Sequence, residues 1–188
     1  MAIIQIVVGL SFAAMSNYYT SIMRNFEWTE ENISKALLLF STIYALSMLL
    51  AGLLADKFGR RKVIIGCLLI AIPCFILFIV GANFMWNGYL IGIIMSFYRS
   101  GLYITYDYLT LIASEMCPTE IRGSVMGGES LYSYIAVALG LGLTSIALIN
   151  LVTGYACLIV GLPFAIVSLG LSIKFLKESN GTDLETIQ

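Results

Sequence analysis

Gly52-Leu53-Leu54-Ala55-Asp56-Lys57-Phe58-Gly59-Arg60-Arg61-Lys62 decides how the rest of the chain reads. Long uncharged runs lie on either side of it, and its charges crowd into residues 56–62. Each part of the stretch has a physical role. Gly52 predicts a neighbouring helix that approaches closely in lipid. Asp56 stands where an apolar span ends, placed to accept hydrogen bonds from a nearby helix N-terminus. Gly59 permits a tight reversal that a residue with a Cβ resists. Arg60 and Arg61 fix the loop on the cytoplasmic side. A loop that only had to be positive would need neither the glycines nor the aspartate.

Composition agrees with a membrane reading. The 188 residues are 60% hydrophobic and 11% charged, where ordinary globular chains run near 45–50% and 25%. Six spans of about 20 residues would consume roughly 120 to 140 of them. A net charge of −1 excludes the basic footprint of a nucleic-acid binder. The chain has no histidine, which removes histidine-dependent dyads and most zinc sites, and no aspartate pair suits an intramembrane protease. Cys67, Cys74, Cys117 and Cys157 show no C-x-x-C spacing and read as packing residues without a disulfide framework. No cofactor, metal or covalent chemistry is expected, so the chain does not read as an enzyme.

Charges then mark the borders of six spans, at about 1–23, 36–55, 63–82, 88–113, 123–149 and 154–173. The uncharged run 63–98 is too long for one span, and Asn83 to Gly88, with Trp86, divides it. Trp28, in the loop between the first two spans, reads as a membrane-interface belt residue. With the amino terminus inside, the cytoplasmic segments hold Lys57, Arg60, Arg61, Lys62, Arg122, Lys174 and Lys177, and the outer loops only Arg24 and Lys35. Both termini therefore face the cytoplasm. Residues 1–177 form one six-helix domain and 178–188 a cytoplasmic tail. The first span starts at Met1 with no basic stretch before it, so the chain reads as if it begins in mid-protein.

A second polar hairpin, Glu115-Met116-Cys117-Pro118-Thr119-Glu120-Ile121-Arg122-Gly123, follows the fourth span. Residues 52–62 resemble the G-x-x-x-D-x-x-G-R-R signature loop of the major facilitator superfamily. The 115–123 hairpin resembles that family's E-x-x-P-T-x-x-R-G loop, best known from sugar and organic-ion transporters. The closer likeness is to the carboxy-terminal half. The resemblance implies an all-α membrane fold of two three-helix inverted repeats. It also implies a second six-helix half as partner, covalent in a longer parent or as a second chain. In the family the first and fourth helices of a half face the central cavity. Gly52, Asp56, Gly59, Arg60, Arg61, Glu115 and Arg122 would form a charge network that gates one side.

Helical periodicity supports such a face independently. At 100° per residue, Arg99, Tyr103, Tyr106, Asp107 and Thr110 fall on roughly a 100° arc of the fourth span. Gln5, Phe12, Ser16 and Tyr19 share a stripe on the first. Polar stripes within hydrocarbon face protein or water. Arg99, Asp107 and Glu129 are ionisable groups inside spans, where a charge costs about 2.5–3.5 kcal/mol on insertion scales. Arg99 is expected to hold an anionic group of the solute, with a hydrogen bond to a backbone carbonyl or to Gln5 as its structural alternative. Asp107 and Glu129 are candidates for a coupling proton, and Gln5, Asn17, Tyr19, Tyr103 and Tyr106 for hydrogen bonds to substrate.

The function expected is secondary transport of a small polar organic solute by alternating access. Proton symport and the cell (plasma) membrane are the expected coupling and location. The rival reading is a non-transporting membrane interaction subunit, or a remnant of a transporter.

Overall fold

The computed structural model describes residues 2–149 and 151–176, and the tail assigned to 178–188 lies outside the described residues. Seven helices occupy nearly all of it: α1 (Ala2–Ser16), α2 (Tyr19–Asn25), α3 (Glu30–Phe58), α4 (Arg60–Asn83), α5 (Gly88–Glu115), α6 (Arg122–Ala147) and α7 (Thr153–Phe175). Local chemistry sets several borders. Thr29 caps α3 by accepting from the Asn32 N–H at 3.4 Å, with Glu30 and Glu31 in the first turn, where the helix dipole favours acids. Asn87 caps α5 by accepting from the Tyr89 N–H at 3.0 Å. The reversal before it is sharp enough to hold Met85 at φ 51°.

The first span differs from its expected form. It is a single rod from Ala2 to Asn25 only in outline, because Asn17 and Tyr18 interrupt the helix. The Asn17 amide donates to the Ala13 carbonyl at 3.2 Å, four residues back. A side chain that takes a helical carbonyl offers the backbone an alternative to continuing the helix.

α5 lies at the centre. Fifteen of its 28 residues are buried, against four of 29 in α3. It packs chiefly on α3 and α4, while α1 packs chiefly on α6 and α7. Small residues allow these approaches. A Cβ on Gly101 of α5 would lie 2.8 Å from the Cys67 carbonyl oxygen of α4. A Cβ on Gly140 of α6 would lie 2.7 Å from the Ala13 Cβ of α1. The role expected of Gly52 falls to these positions, because nothing lies within 4 Å of a Cβ built there. α3 turns Ala51 and Ala55 inward and Gly52 away from its neighbours.

Five rods are long and apolar enough to cross a membrane: the α1–α2 pair, α3, α4, α6 and α7. The fourth expected span, α5, is long enough at ~42 Å but outside that set by composition. Its arginine, aspartate and five tyrosines lower its apolarity, and its neighbours shield many of them. By contrast α3 exposes Leu38, Leu46, Leu49, Leu50 and Leu53, as a lipid-facing helix should. Trp28 is a correction. It is 8% exposed and donates from its indole Nε1 to the Ala82 carbonyl at 3.1 Å, which makes it a core residue and not a belt residue.

Candidate functional site

The two polar stripes read from the sequence meet each other, antiparallel, along α1–α2 and α5. Gln5 Nε2 donates to Thr110 Oγ1 at 3.2 Å. Phe12 packs edge-on against Tyr103, ring centroids 4.8 Å apart, and lies 5.8 Å from Tyr106. Tyr19 lies beneath Arg99, its ring centroid 4.2 Å from Cζ. Going up α1–α2 means going down α5. Two further rings come from α3: Phe40, centroid 4.0 Å from Arg99 Cζ, and Tyr44, which stacks on Phe40 and lies 5.4 Å from Tyr103. The sequence reading missed both. Their signal is an aromatic pair four apart, on one helix face, in a span otherwise read only as apolar.

Arg99 is 7% exposed. No carboxylate among the described residues pairs with it. One N–H reaches the Tyr103 hydroxyl at 3.4 Å, and Nε is buried with no partner. Neither structural alternative holds among the described residues, since no backbone carbonyl takes its donors and Gln5 lies against Thr110, about three turns along α5 from Arg99. Two ring faces at close range supply about 0.5–2 kcal/mol each. That is comparable with the ~2.5–3.5 kcal/mol cost of placing the charge in hydrocarbon, so the rings suffice to seat the cation. They do not satisfy its five N–H donors.

The other expected members separate into groups. Tyr106 faces Ser133 of α6. Asp107 is exposed and two helical turns from Arg99, with no direct contact between them. Asn17 is exposed, its amide already used on Ala13. Glu129 begins the buried stripe of α6 (Glu129, Ser133, Ala136, Gly140, Thr144). It faces Thr110 and lines a cavity of about 100 Å³ with Ala2, Gln5, Ala113, Val125 and Tyr132. Glu129 Oε2 has no hydrogen-bond partner there.

At the far end of α5 lies the signature loop. Gly59 alone joins α3 to α4, at φ 94° and ψ 149°, a conformation that L side chains resist. α4 then starts with Arg60, Arg61 and Lys62, three cations at the positive end of its dipole, which opposes the helix by about 0.3–1 kcal/mol each. Two find compensation. Arg60 pairs with Glu115, the last residue of α5. Arg61 donates to the Ile173 carbonyl at 2.5 Å, one of the last four of α7 and so without a helical partner. Arg122 differs from the expected network, because its guanidinium donates to the Cys117 carbonyl at 3.5 Å within its own hairpin.

Long apolar rods around a central polar and aromatic helix define a polytopic integral membrane protein. The Major Facilitator Superfamily profile matches residues 1–186, and the chain belongs to that family of membrane transporters. No curated protein matches the chain.

Proposed function

We propose that the chain is one six-helix half of a secondary transporter that moves a small polar organic solute by alternating access. Both termini and the Asp56–Lys62 loop lie in the cytoplasm of a cell whose plasma membrane carries the protein, and residues 178–188 form the tail. A second six-helix half completes the path. The observation that carries the reading is the Arg99 face. A buried guanidinium and tyrosine hydroxyls are costly to keep in hydrocarbon, and a lipid-embedded scaffold has no use for them.

The packing supports two inverted three-helix repeats. Exchanging the first three rods for the last three turns α5 on α3 and α4 into α1 on α6 and α7, and both contacts are extensive. Arg99, Tyr19, Tyr103 and Tyr106 line the solute path, with Gln5 and Asn17 at its margins. Asp107 and Glu129 are the carboxylates available for proton coupling. Gly52, Asp56, Gly59, Arg60, Arg61, Glu115 and Arg122 form the gating end. The likeness of the 115–123 hairpin supports the sugar and organic-ion branch. The test is cysteine labelling of a Tyr103→Cys variant with a water-soluble maleimide in the native membrane. Labelling that substrate suppresses is the expected result. A residue that stays unlabelled with and without solute argues for an interaction subunit instead.

A further inference from the structure

Between Lys62 and Arg122 the sequence has one basic residue, Arg99. It is over nine-tenths buried, seated on Tyr19 and Phe40, and no described carboxylate answers its charge. Its Nε donor is unmet and its one hydrogen bond, to Tyr103, is long at 3.4 Å. Asp107 and Glu129 do not fill the role, since the first is exposed two turns away and the second faces Thr110 and Gln5. A positive charge held by rings and lacking its anion is half of a recognition site. Arginine's fixed fork of donors matches a carboxylate in two parallel hydrogen bonds.

The surroundings narrow the anion further. A single cation, with Asp107 and Glu129 on the same helices or their neighbours, favours a monoanion over a phosphate dianion. The surface around it is a continuous chain of rings, Tyr106–Phe12–Tyr103–Tyr44–Phe40, with successive centroids 4.8–5.8 Å apart. Such spacing suits offset or edge-on contact with another ring. The Tyr103 hydroxyl, which accepts from Arg99, keeps its own proton to donate. We infer that the solute is a monocarboxylate with an aromatic body, its carboxylate on Arg99 and its ring against Phe12, Phe40, Tyr44 and Tyr103. This rests on the transport reading and names the substrate class of that same face.

The test uses the intact protein purified from its membrane and benzoate as probe, with benzamide as the neutral isostere and acetate as the anion without a ring. Saturating benzoate raises the thermal midpoint by at least about 3 °C, and benzamide or acetate by less than about 1 °C. Arg99→Gln abolishes the benzoate shift, and Arg99→Lys weakens benzoate binding by about tenfold, because a point charge loses the fork. Equal shifts with benzoate and benzamide overturn the carboxylate, and equal shifts with benzoate and acetate overturn the ring. A full benzoate shift in Arg99→Gln overturns the site. If that variant does not fold, the comparison of benzoate with benzamide on the native protein decides. Uptake into proteoliposomes separates the two readings, with labelled glucose, tetraethylammonium and benzoate against protein-free vesicles. Uptake of glucose or tetraethylammonium without benzoate binding leaves transport standing and sinks this inference. Benzoate binding with no uptake of any solute keeps the anion site and sinks transport.

Discussion

Arg60 and Arg99 are both arginines of a helix bundle in a membrane, yet their surroundings differ in kind. Arg60 sits at a helix end with Glu115 against it, and both side chains keep partial access to solvent. Arg99 sits near the middle of α5, more than half of whose residues are buried, held by ring faces and one phenol, with no described acid against it. The first is a closed pair whose energy is internal to the chain. The second is an open valence. Position explains the difference. A pair at a span end can break and re-form with water as the alternative partner, whereas a charge at mid-span must take what the protein or a solute supplies.

Reversing one partner of the closed pair should have the largest effect. Arg60→Glu places two carboxylates together, and at ~2 kcal/mol, discounted for solvent access, transport should fall about thirtyfold. The exchange Arg60→Glu with Glu115→Arg should recover uptake to within about threefold of native. Failure of the exchange would show that partners beyond Glu115 set the role of Arg60. Next comes Arg99→Lys, for which solute affinity measured by equilibrium binding should drop about tenfold, ~1.4 kcal/mol. The amount of protein in the membrane should not change. Native affinity would reduce Arg99 to scaffolding.

Asp107→Asn should flatten the pH dependence of uptake while exchange of solute persists, because the amide cannot carry a proton. A profile that keeps its native shape moves the coupling role to Glu129. Phe40→Leu removes one ring face from Arg99 and keeps an apolar side chain there. At ~0.5–1 kcal/mol, solute affinity should fall about two- to fivefold. No change would mean that Tyr19 and Tyr103 seat the cation without it. Smallest of all is Glu31→Gln, which breaks an exposed pair with Lys35 (N–O 2.6 Å) remote from both arginines. Uptake and thermal midpoint should stay at native values within error, because such pairs contribute little.

Much of this arrangement was legible from residue order. The borders of α4 and α5 follow from Asn83–Gly88, where a capping asparagine and a tryptophan interrupt an uncharged run. The α5 stripe follows from periodicity alone, because polar residues in an apolar helix stand out at 100° steps. The docking of Gln5, Phe12 and Tyr19 on that stripe needed both stripes and their antiparallel order, which span counting supplies. What the sequence hid was the third wall. Phe40 and Tyr44 belong to a span whose other residues are mostly apolar, so nothing near them marks an inward face. The break at Asn17 was hidden for a related reason, since a single asparagine in an uncharged run does not reveal which carbonyl its amide will take. Gly52 misled because closeness depends on which face a helix turns inward, and Ala51 and Ala55 hold that face.

The one-residue connection at Gly59 has a mechanical consequence. α3 and α4 are rods of ~43 and ~36 Å, and between them stand only the two soft torsions of one glycine. Such a joint has no slack. It lets the rods pivot but not slide, so a rotation at one is handed to the other. A swing of about 10° at Gly59 would carry the far end of α3 through ~7 Å over that length. Arg60 and Arg61 grip the fulcrum from α5 and α7, while Phe40 and Tyr44 lie on the long arm, beside Arg99. The basic loop and the aromatic face are then two stations on one lever, so a swing at the first would displace the second.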